Sequence, residues 1–256
     1  MTGRFFARSR SLGIFERIYI FLFGFPILGM RIRSWHMMPL IRRYARPDGR
    51  LLDLGSGRGI FTIEMARMFP RARVTGTELN RNKAETSGRL AKQMGLSRCS
   101  FLVRDVLSSP PKEKFDSVVA IDVLKHIRDD RRCLKQLNRL LARGGTCIIH
   151  VPHKFRNCFG RRRLNFDIEG HFRPGYLMPD LESMVLAAGF RVLEKGYTYS
   201  SLETLANDLS YFITRGREKN KLLYSLAFPF LLMIAAAGSG VRPAEGSGVY
   251  LVAEKR

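Results

Sequence analysis

The sequence predicts an α/β fold in which an open sheet is covered by helices on both faces. Leu51, Leu52 and Leu54 form a short apolar run typical of a parallel strand buried on both sides, and residues 60–69 then carry apolar residues at helical spacing. Further short apolar runs end in acidic residues later in the chain. A length of 256 residues with 45% hydrophobic residues suits one such domain with added segments.

The turn between the first strand and its helix is nearly all glycine, with Gly55, Gly57 and Gly59. Open α/β sheets bind ligands at the carboxyl ends of their strands, and glycines let a ligand approach the backbone closely. A dinucleotide-binding turn has the spacing G-x-G-x-x-G, but Ile60 stands where the third glycine would be. The turn therefore predicts a nucleotide-type ligand and disfavours a pyrophosphate.

Residues 53–59, DLGSGRG, are similar to motif I of the class I S-adenosylmethionine (SAM)-dependent methyltransferases. A carboxylate at the end of the next strand can accept hydrogen bonds from a ribose diol, and Glu78 is in that place. In this family an Asp after the third strand accepts from the adenine amino group, and Asp105 corresponds to it. For either acid alone, a helix cap or a solvated loop position is the alternative. The resemblance implies SAM as the cofactor, bound by Asp53, Gly55, Ser56, Gly57, Gly59, Glu78, Leu79, Asp105, Val106 and Asp122.

Two later motifs follow in the order that the family has. Residues 122–127, DVLKHI, resemble the common DVLEHI after the fourth strand, with Lys125 in place of the usual Glu. Residues 140–145, LLARGG, resemble the LLKPGG turn between a helix and strand five. The resemblance covers about residues 45–199 and 246–256. It implies a Rossmann-like, seven-stranded class I methyltransferase fold with helical apolar additions.

This fold divides the chain into four parts. We expect a basic and apolar N-terminal helical cap over residues 1–45 and a SAM-binding core over 46–199. A helical apolar insertion over 200–247 then separates strand six from the last strand at 248–256. Strand six is expected at residues 191–198 and strand seven at 248–254, paired in one sheet.

Residues 222–241 contain no charge, so hydropathy alone would mark them as a transmembrane segment. A single crossing would separate the paired strands six and seven, which argues against it. Pro229 and the glycines at 238 and 240 are expected to break the segment into shorter pieces. The options are a hairpin in the membrane interface, a helical cap over the substrate site, a dimer contact, or plain core helices of a cap domain.

The net charge of +22 is unevenly distributed. The first fifty residues hold ten arginines against Glu16 and Asp48, and residues 154–163 contain five basic residues and no acid. Such patches attract nucleic acid or anionic lipid surfaces, with a solvated arginine-rich surface as the alternative. The apolar run at residues 19–30 is flanked by arginines and is too short to span a bilayer. We favour contact with a membrane interface or a lipid-like substrate.

The four cysteines form no C-x-x-C pair, and no histidine stands at metal-ligand spacing. We therefore expect no metal site and a reducing cytoplasm.

Methyl transfer from a sulfonium requires that the acceptor and the methyl group be held in line, so orientation can supply much of the catalysis. If the acceptor is a hydroxyl, an imidazole base would help. His126 follows the fourth strand, and His171 lies in residues 169–181, which resemble the GH-R-GY stretch of many small-molecule methyltransferases. We take these two as catalytic candidates, with a structural role as the alternative for each. His153 and Tyr176 are candidates for substrate binding.

The sequence thus predicts a SAM-dependent methyltransferase for a small or lipid-like acceptor, with O-methylation as the first expectation. We expect a cytoplasmic protein, and peripheral contact with the inner face of the membrane is the favoured extension. An RNA methyltransferase is the alternative raised by the basic patches, although the N-P-P-Y and paired-cysteine signatures of nucleic-acid methylation are missing. A non-catalytic SAM-fold scaffold is a third hypothesis, raised by Lys125 alone. The sequence leaves the oligomeric state open.

Overall fold

The computed structural model describes residues 3–9, 12–159, 161–165, 170–214 and 220–256. Residues 1–2 and 10–11 of the expected cap, Glu169, and residues 215–219 of the expected insertion lie outside the described residues. The strands are β1 (Arg50–Leu54), β2 (Arg73–Glu78), β3 (Cys99–Val103), β4 (Phe115–Ile121), β5 (Leu141–Pro152), β6 (Phe155–Cys158), β7 (Arg161–Leu164), β8 (Phe190–Thr198) and β9 (Gly248–Lys255). The helices are α1 (Ile14–Phe23), α2 (Leu28–Tyr44), α3 (Ile60–Met68), α4 (Arg81–Gln93), α5 (Asp130–Leu140), α6 (Met178–Ala187), α7 (Ser201–Thr214) and α8 (Lys221–Gly238), after a short 3-10 helix at Arg4–Arg8.

Seven strands form one sheet in the order β3-β2-β1-β4-β5-β9-β8. The strands β1 to β5 run parallel, and β9 runs antiparallel between β5 and β8. The predicted Rossmann-like seven-stranded fold is confirmed, and β8 and β9 coincide with the expected strands six and seven. The chain passes from β1 to β2 and β3 and returns on the other side of β1 with β4. The carboxyl ends of β1 and β4 therefore form the switch point at which such sheets bind ligands.

Strand β5 begins before the glycines that were expected to precede it. Leu141 already pairs with Phe115 of β4, and regular pairing resumes with Thr146 opposite Ser117. Residues 142–145 lie between these two pairs, where Gly144 has a φ of 70° that favours glycine. The glycine pair thus forms an irregularity inside the strand.

Helices cover both faces of the sheet. On one face, α2 and α3 bury Met37, Ile41 and Met65 against β1, β4 and β5. On the other face, α5 and α6 bury Leu134 and Leu181. The insertion supplies α7 and α8, which pack on α2 in a further cluster that contains Leu28, Ile32, Ala206, Phe228 and Leu231.

Helix α8 continues through Pro229, so the prediction that this residue breaks the segment is wrong. A proline inside a helix removes the hydrogen bond to the carbonyl four residues earlier, here that of Ser225. This carbonyl instead accepts a hydrogen bond from the Tyr19 hydroxyl of α1 over 2.7 Å. A tertiary contact therefore satisfies the group that the proline leaves unpaired. By length and composition alone, α8 is the one helix of the described residues that could cross a membrane.

Candidate cofactor and acceptor site

The glycine turn lies at the carboxyl end of β1. Gly57 has a φ of 56°, and a Cβ at this residue would meet nothing within 4 Å. Gly59 has a φ of 74°, and a Cβ there would lie 2.8 Å from neighbouring side chains. Gly55 shares the left-handed backbone, and the Ser56 hydroxyl is buried without a hydrogen-bond partner among the described residues. The turn thus offers open space beside its backbone and contains a polar group that these residues do not satisfy.

Asp53 supports this turn from inside the protein. Its side chain is buried, and its Oδ2 accepts a hydrogen bond from the Thr62 hydroxyl of α3 over 2.6 Å. Burial raises the pKa of Asp53 to about 7, although the hydrogen bonds from Thr62 oppose this shift. Asp53 therefore ties the end of β1 to the first turns of α3.

The raised pKa of Asp53 predicts how the variant Asp53→Asn will respond to pH. In the unfolded chain the Asp53 carboxyl group loses its proton at about pH 4, whereas in the folded protein it keeps the proton up to about pH 7. Between these two pH values, rising pH therefore lowers the stability of the folded wild type. The amide of the variant does not ionise in this range. In scanning calorimetry we expect the melting temperature of the variant, relative to wild type, to rise across this window and then level off. A difference that stays constant with pH would contradict the raised pKa.

Two further acids lie at the ends of neighbouring strands. Glu78 ends β2, and its Oε2 accepts a hydrogen bond from the backbone N–H of Gly57 over 2.9 Å. Asp105 follows β3 and accepts from the N–H of Leu107 over 2.8 Å and from the Ser108 hydroxyl over 3.0 Å. An ionised carboxylate has about four lone-pair sites, so both acids retain acceptor capacity for a ligand.

The order of the strands arranges the predicted cofactor residues along one edge. Because β3, β2, β1 and β4 are neighbours, Asp105 is followed by Glu78, the glycine turn and Asp122 over about 14 Å, at about 4.8 Å per strand. This arrangement fits an extended nucleoside joined to an amino acid, as in SAM. Leu79 is 69% exposed beside Glu78 and offers apolar surface. The Val106 side chain belongs instead to the buried core and is not part of the surface.

The contacts of Glu78 predict a loss of SAM affinity in the variant Glu78→Gln. The amide keeps one acceptor but loses the negative charge and the second acceptor that a vicinal diol needs. A hydrogen bond to a charged group contributes about 2 kcal/mol, so we expect SAM affinity to fall roughly thirtyfold in isothermal titration calorimetry. Glu85→Gln on the exposed face of α4 is the matched control and should bind as wild type. Equal affinities of the Glu78 variant and the wild type would remove Glu78 from the cofactor site.

Asp122 is the centre of a charged cluster at the end of β4. Its carboxylate lies 2.8 Å from Nη1 of Arg33, 3.7 Å from Nζ of Lys125 and 2.7 Å from Nδ1 of His150. Burial alone would raise the pKa of Asp122, but these partners hold it well below its usual range. Asp122 also has a φ of 56°, which Asp and Asn adopt more readily than other non-glycine residues. Lys125, the departure from the family motif, is thus a second cation beside this acid.

His150 holds Asp122 in place through a single tautomer. An ionised carboxylate only accepts hydrogen bonds, so Nδ1 of His150 carries the proton and Nε2 accepts from the Thr198 hydroxyl over 2.9 Å. Burial lowers the pKa of His150, which keeps the ring neutral at pH 7 although Asp122 opposes the shift. Because both ring nitrogens are engaged, His150 is a positioning residue.

Arg33 and Tyr199 belong to this site, and sequence reasoning did not select them. The Tyr199 hydroxyl donates to the carbonyl of Gly29 over 2.7 Å and accepts from Nη1 of Arg33 over 3.2 Å. These bonds connect α2 of the N-terminal region to the end of the sheet. The flanking position of Arg33 beside an apolar run is the only related signal in the sequence.

A cavity of about 880 Å³ opens beside the cluster. Arg58 of the glycine turn, Asp122 and His150 line it on the sheet side, and residues of α1, α7 and α8 such as Tyr19 and Tyr211 line it on the other. The N-terminal helices and the insertion therefore form a cap over this cavity. Its charged lining residues are Arg33, Arg58, Lys125, Arg156 and Lys221 against Glu16, Asp122 and Asp208.

The structure brings the two predicted catalytic histidines together. The rings of His126 and His171 lie edge to face with their centroids 4.6 Å apart. Nδ1 of His126 lies 3.0 Å from the carbonyl oxygen of Gly170, which makes it the protonated nitrogen. His171 lines the cavity, whereas His126 is not part of the lining. His171 is therefore the better placed of the two to meet an acceptor.

The two predicted substrate-binding residues lie outside this lining. The Tyr176 side chain is 4% exposed and donates its hydroxyl proton to Asp130 over 2.9 Å, beside Arg173. The His153 side chain is 2% exposed, and its Nδ1 lies 2.8 Å from the carbonyl oxygen of Phe155. Both side chains make contacts within the protein, and an isolated bridge between residues 153 and 176 holds the loop before α6 beside the residue that follows β5.

Comparisons with known proteins agree with this arrangement. Residues 45–166 match a family model described as a methyltransferase domain. The (S)-coclaurine N-methyltransferase of Thalictrum flavum subsp. glaucum is 24% identical over 109 residues, which are 42% of this chain but only 30% of that enzyme.

Among solved structures, the O-methyltransferase of a trans-AT polyketide synthase multienzyme of Brevibacillus brevis, in complex with S-adenosyl-L-homocysteine, has a TM-score of 0.60 at 15% identity. The similarity covers 97% of this chain and 81% of that chain. The [4+2]-cyclase SpnF has a TM-score of 0.62 at 21% identity, over 87% of this chain and 81% of that chain. These likenesses show the shared fold.

Residues 45–166 thus match a methyltransferase domain, and the seven-stranded sheet that contains them is the Rossmann-like fold that the sequence predicts. The match to a methyltransferase domain agrees with SAM as the predicted cofactor.

Proposed function

We propose that the protein transfers a methyl group from SAM to a hydroxyl oxygen of a small or lipid-like amphiphile. The observation that carries this proposal is the cavity beside Asp122, which we call the acceptor cavity. It extends from Arg58 of the glycine turn past Asp122 and His171 to the cap helices α1 and α8. Its volume of about 880 Å³ lies in the range of small-molecule sites. Relatives named N-methyltransferases make a nitrogen acceptor the alternative.

The residues of this chain would orient the reactants. Bound SAM supplies an electrophilic methyl group on its sulfonium. Glu78 and Asp105 would accept hydrogen bonds from the nucleoside, and the glycine turn would let the amino-acid part approach β1. A ring nitrogen of His171 would take the hydroxyl proton as the acceptor oxygen attacks. The cap would exclude water from the aligned groups.

Exposed apolar residues on the cap support contact with a membrane surface. Phe15 of α1 is 84% exposed, and Leu222 and Phe230 of α8 are 77% and 64% exposed. Large apolar side chains exposed on a surface can mark an interaction site, and both helices border the acceptor cavity. An amphiphile could therefore enter from the interface of the bilayer. We infer a cytoplasmic protein that works at the inner face of the membrane.

The basic hairpin of β6 and β7 is the main support for an RNA substrate, and part of its charge is used within the protein. Arg156 lies 3.1 Å from Asp208, and Arg162 lies 3.2 Å from Glu245 and over the ring of Phe155.

The test of the proposed substrate class is incubation of the purified protein with labelled SAM and either a total lipid extract, a small-molecule extract or RNA. Label in the lipid or small-molecule fraction is expected, and label in RNA alone would overturn the proposal.

A non-catalytic role is the second alternative, raised only by Lys125 in place of the usual Glu. The release of S-adenosyl-L-homocysteine, measured by mass spectrometry, separates methyl transfer from binding alone. A protein that binds SAM but forms none of this product with any extract would favour the non-catalytic role. The absence of SAM binding in calorimetry would undo every cofactor assignment.

A further inference from the structure

A second cavity, of about 920 Å³, lies on the other side of α1. Helix α1 separates the two, because Phe15 and Tyr19 line the acceptor cavity and Ile14 and Ile18 line the second one. The remaining walls come from the short helix at Arg4–Arg8 and from α2 and α3. This second cavity contains none of the cofactor or acceptor residues described above.

Much of the wall of the second cavity is apolar and open to solvent. Ile14, Ile18 and Phe21 of α1 are 61%, 50% and 64% exposed. Trp35 of α2 and Met68 of α3 continue this surface on the facing wall. A groove with apolar side chains on both walls fits a hydrocarbon chain.

Among the residues that the structure describes, four arginines also line this groove, against a single acid. Glu64 is the acid, and it already lies 3.4 Å from Arg67. Arg4, Arg8 and Arg17 form no salt bridge with the residues that the structure describes.

Two of these guanidinium groups are held in place by backbone carbonyls. Arg4 donates to the carbonyl of Leu22 over 3.1 Å, and Arg17 donates to that of Ala7 over 2.9 Å. Arginine binds phosphate through paired N–H donors, and each guanidinium retains donors beyond the one used here.

We propose that this groove, lined by Arg4, Arg8, Arg17, Ile14, Ile18 and Phe21, binds an acidic phospholipid of the bilayer. The acyl chain would lie along the apolar walls, and the phosphate would meet the arginines. A free phosphate would make no use of the apolar walls, and a zwitterionic lipid would leave the excess positive charge unpaired. A second copy of this chain is disfavoured by the net charge of +22.

This inference rests on the proposed membrane contact and names its place and chemistry. Helix α1 forms a wall of both cavities, so a lipid in the groove would hold the acceptor cavity beside the bilayer surface. The groove would then act in docking, and the chemistry of methyl transfer would remain on the other side of α1.

The test is flotation of the full chain with phosphatidylcholine vesicles that either contain or lack phosphatidylglycerol. Wild type should float with the acidic vesicles only. Arg8→Gln should weaken binding about fivefold, since a basic residue near such a surface contributes about 1 kcal/mol. Ile18→Ser should weaken it on the order of tenfold through the lost apolar contact.

Matched controls lie on the opposite face of the sheet. Arg131→Gln on α5 and Leu186→Ser on α6, where Leu186 is 46% exposed, should float as wild type. All four variants should bind SAM as wild type, which shows that they are folded.

Three results would overturn the inference. The first is that wild type floats equally well with neutral and with acidic vesicles. The second is that Arg8→Gln and Ile18→Ser both float as wild type. The third is that wild type is a stable dimer in light scattering and floats with neither kind of vesicle. Methyl transfer to an acceptor solubilised in detergent is measured separately on wild type. Its absence would remove the proposed reaction and would leave the result of flotation intact.

Discussion

The variant His171→Gln is expected to lower kcat by about 100-fold or more while SAM affinity stays unchanged. His171 lines the acceptor cavity, and its ring lies edge to face with the ring of His126. General base catalysis by a positioned imidazole contributes about 100-fold to 10,000-fold. A glutamine side chain has similar size but cannot take a proton at neutral pH, so the ascending limb of the kcat–pH profile should also disappear.

His126→Gln is the matched control for this prediction. Its ring packs against His171 but lies outside the cavity lining, so we expect a smaller loss of kcat with the pH limb retained. If His171→Gln kept the wild-type kcat and pH profile, the acceptor would react without a base at this residue. Orientation alone would then carry the chemistry.

The variant Asp122→Asn is expected to lower the free energy of unfolding by about 3 kcal/mol. Its amide can still accept from His150 and can adopt the φ of 56°, so the backbone and one hydrogen bond remain. The lost charge leaves Arg33 and Lys125 without their shared partner, and the side chains of these residues are only 24% and 13% exposed. Urea unfolding at pH 7 measures this difference.

The pH dependence of the Asp122 effect has a definite sign. The pKa of Asp122 is held well below its usual range, so its stabilising contribution is present above the ordinary pKa and is lost as pH falls below it. The advantage of wild type over Asp122→Asn should therefore shrink in acid. Asp116→Asn is the control, because its pair with Arg46 is more exposed and should contribute about 1 kcal/mol or less. Equal losses in the two variants would contradict a coupled cluster at Asp122.

The sheet could be predicted because its signals are local. The strands β1, β4 and β5 contain short apolar runs, and the glycine turn and the acids Glu78 and Asp105 stand at or just after the ends of their strands. Parallel strands bring their carboxyl ends to one edge, so the topology alone places these residues side by side. Helix α8 was harder to predict, because a hydroxyl from Tyr19, distant in sequence, satisfies the carbonyl that Pro229 leaves unpaired.

The acceptor side of the site could be predicted only in part. His171 was selected from a motif, but Tyr176 of the same motif is buried against Asp130, because one loop can present only some of its side chains to a cavity. Arg33 and Tyr199 come from segments far apart in the chain and have no motif of their own. No local pattern indicates that they meet at Asp122.

By itself, the sequence determined a methyltransferase domain over residues 45–166, the seven-stranded sheet and the acids and glycines predicted to hold SAM, because those features depend on local patterns and on the order of the strands. The tertiary structure alone decided that Asp122 collects Arg33, Lys125 and His150, and that α1 separates an acceptor cavity from a second, arginine-lined groove. Both features arise where helices of the N-terminal region pack against the rest of the protein. The charges and apolar side chains that meet there are set by packing between distant segments, which a one-dimensional pattern does not record.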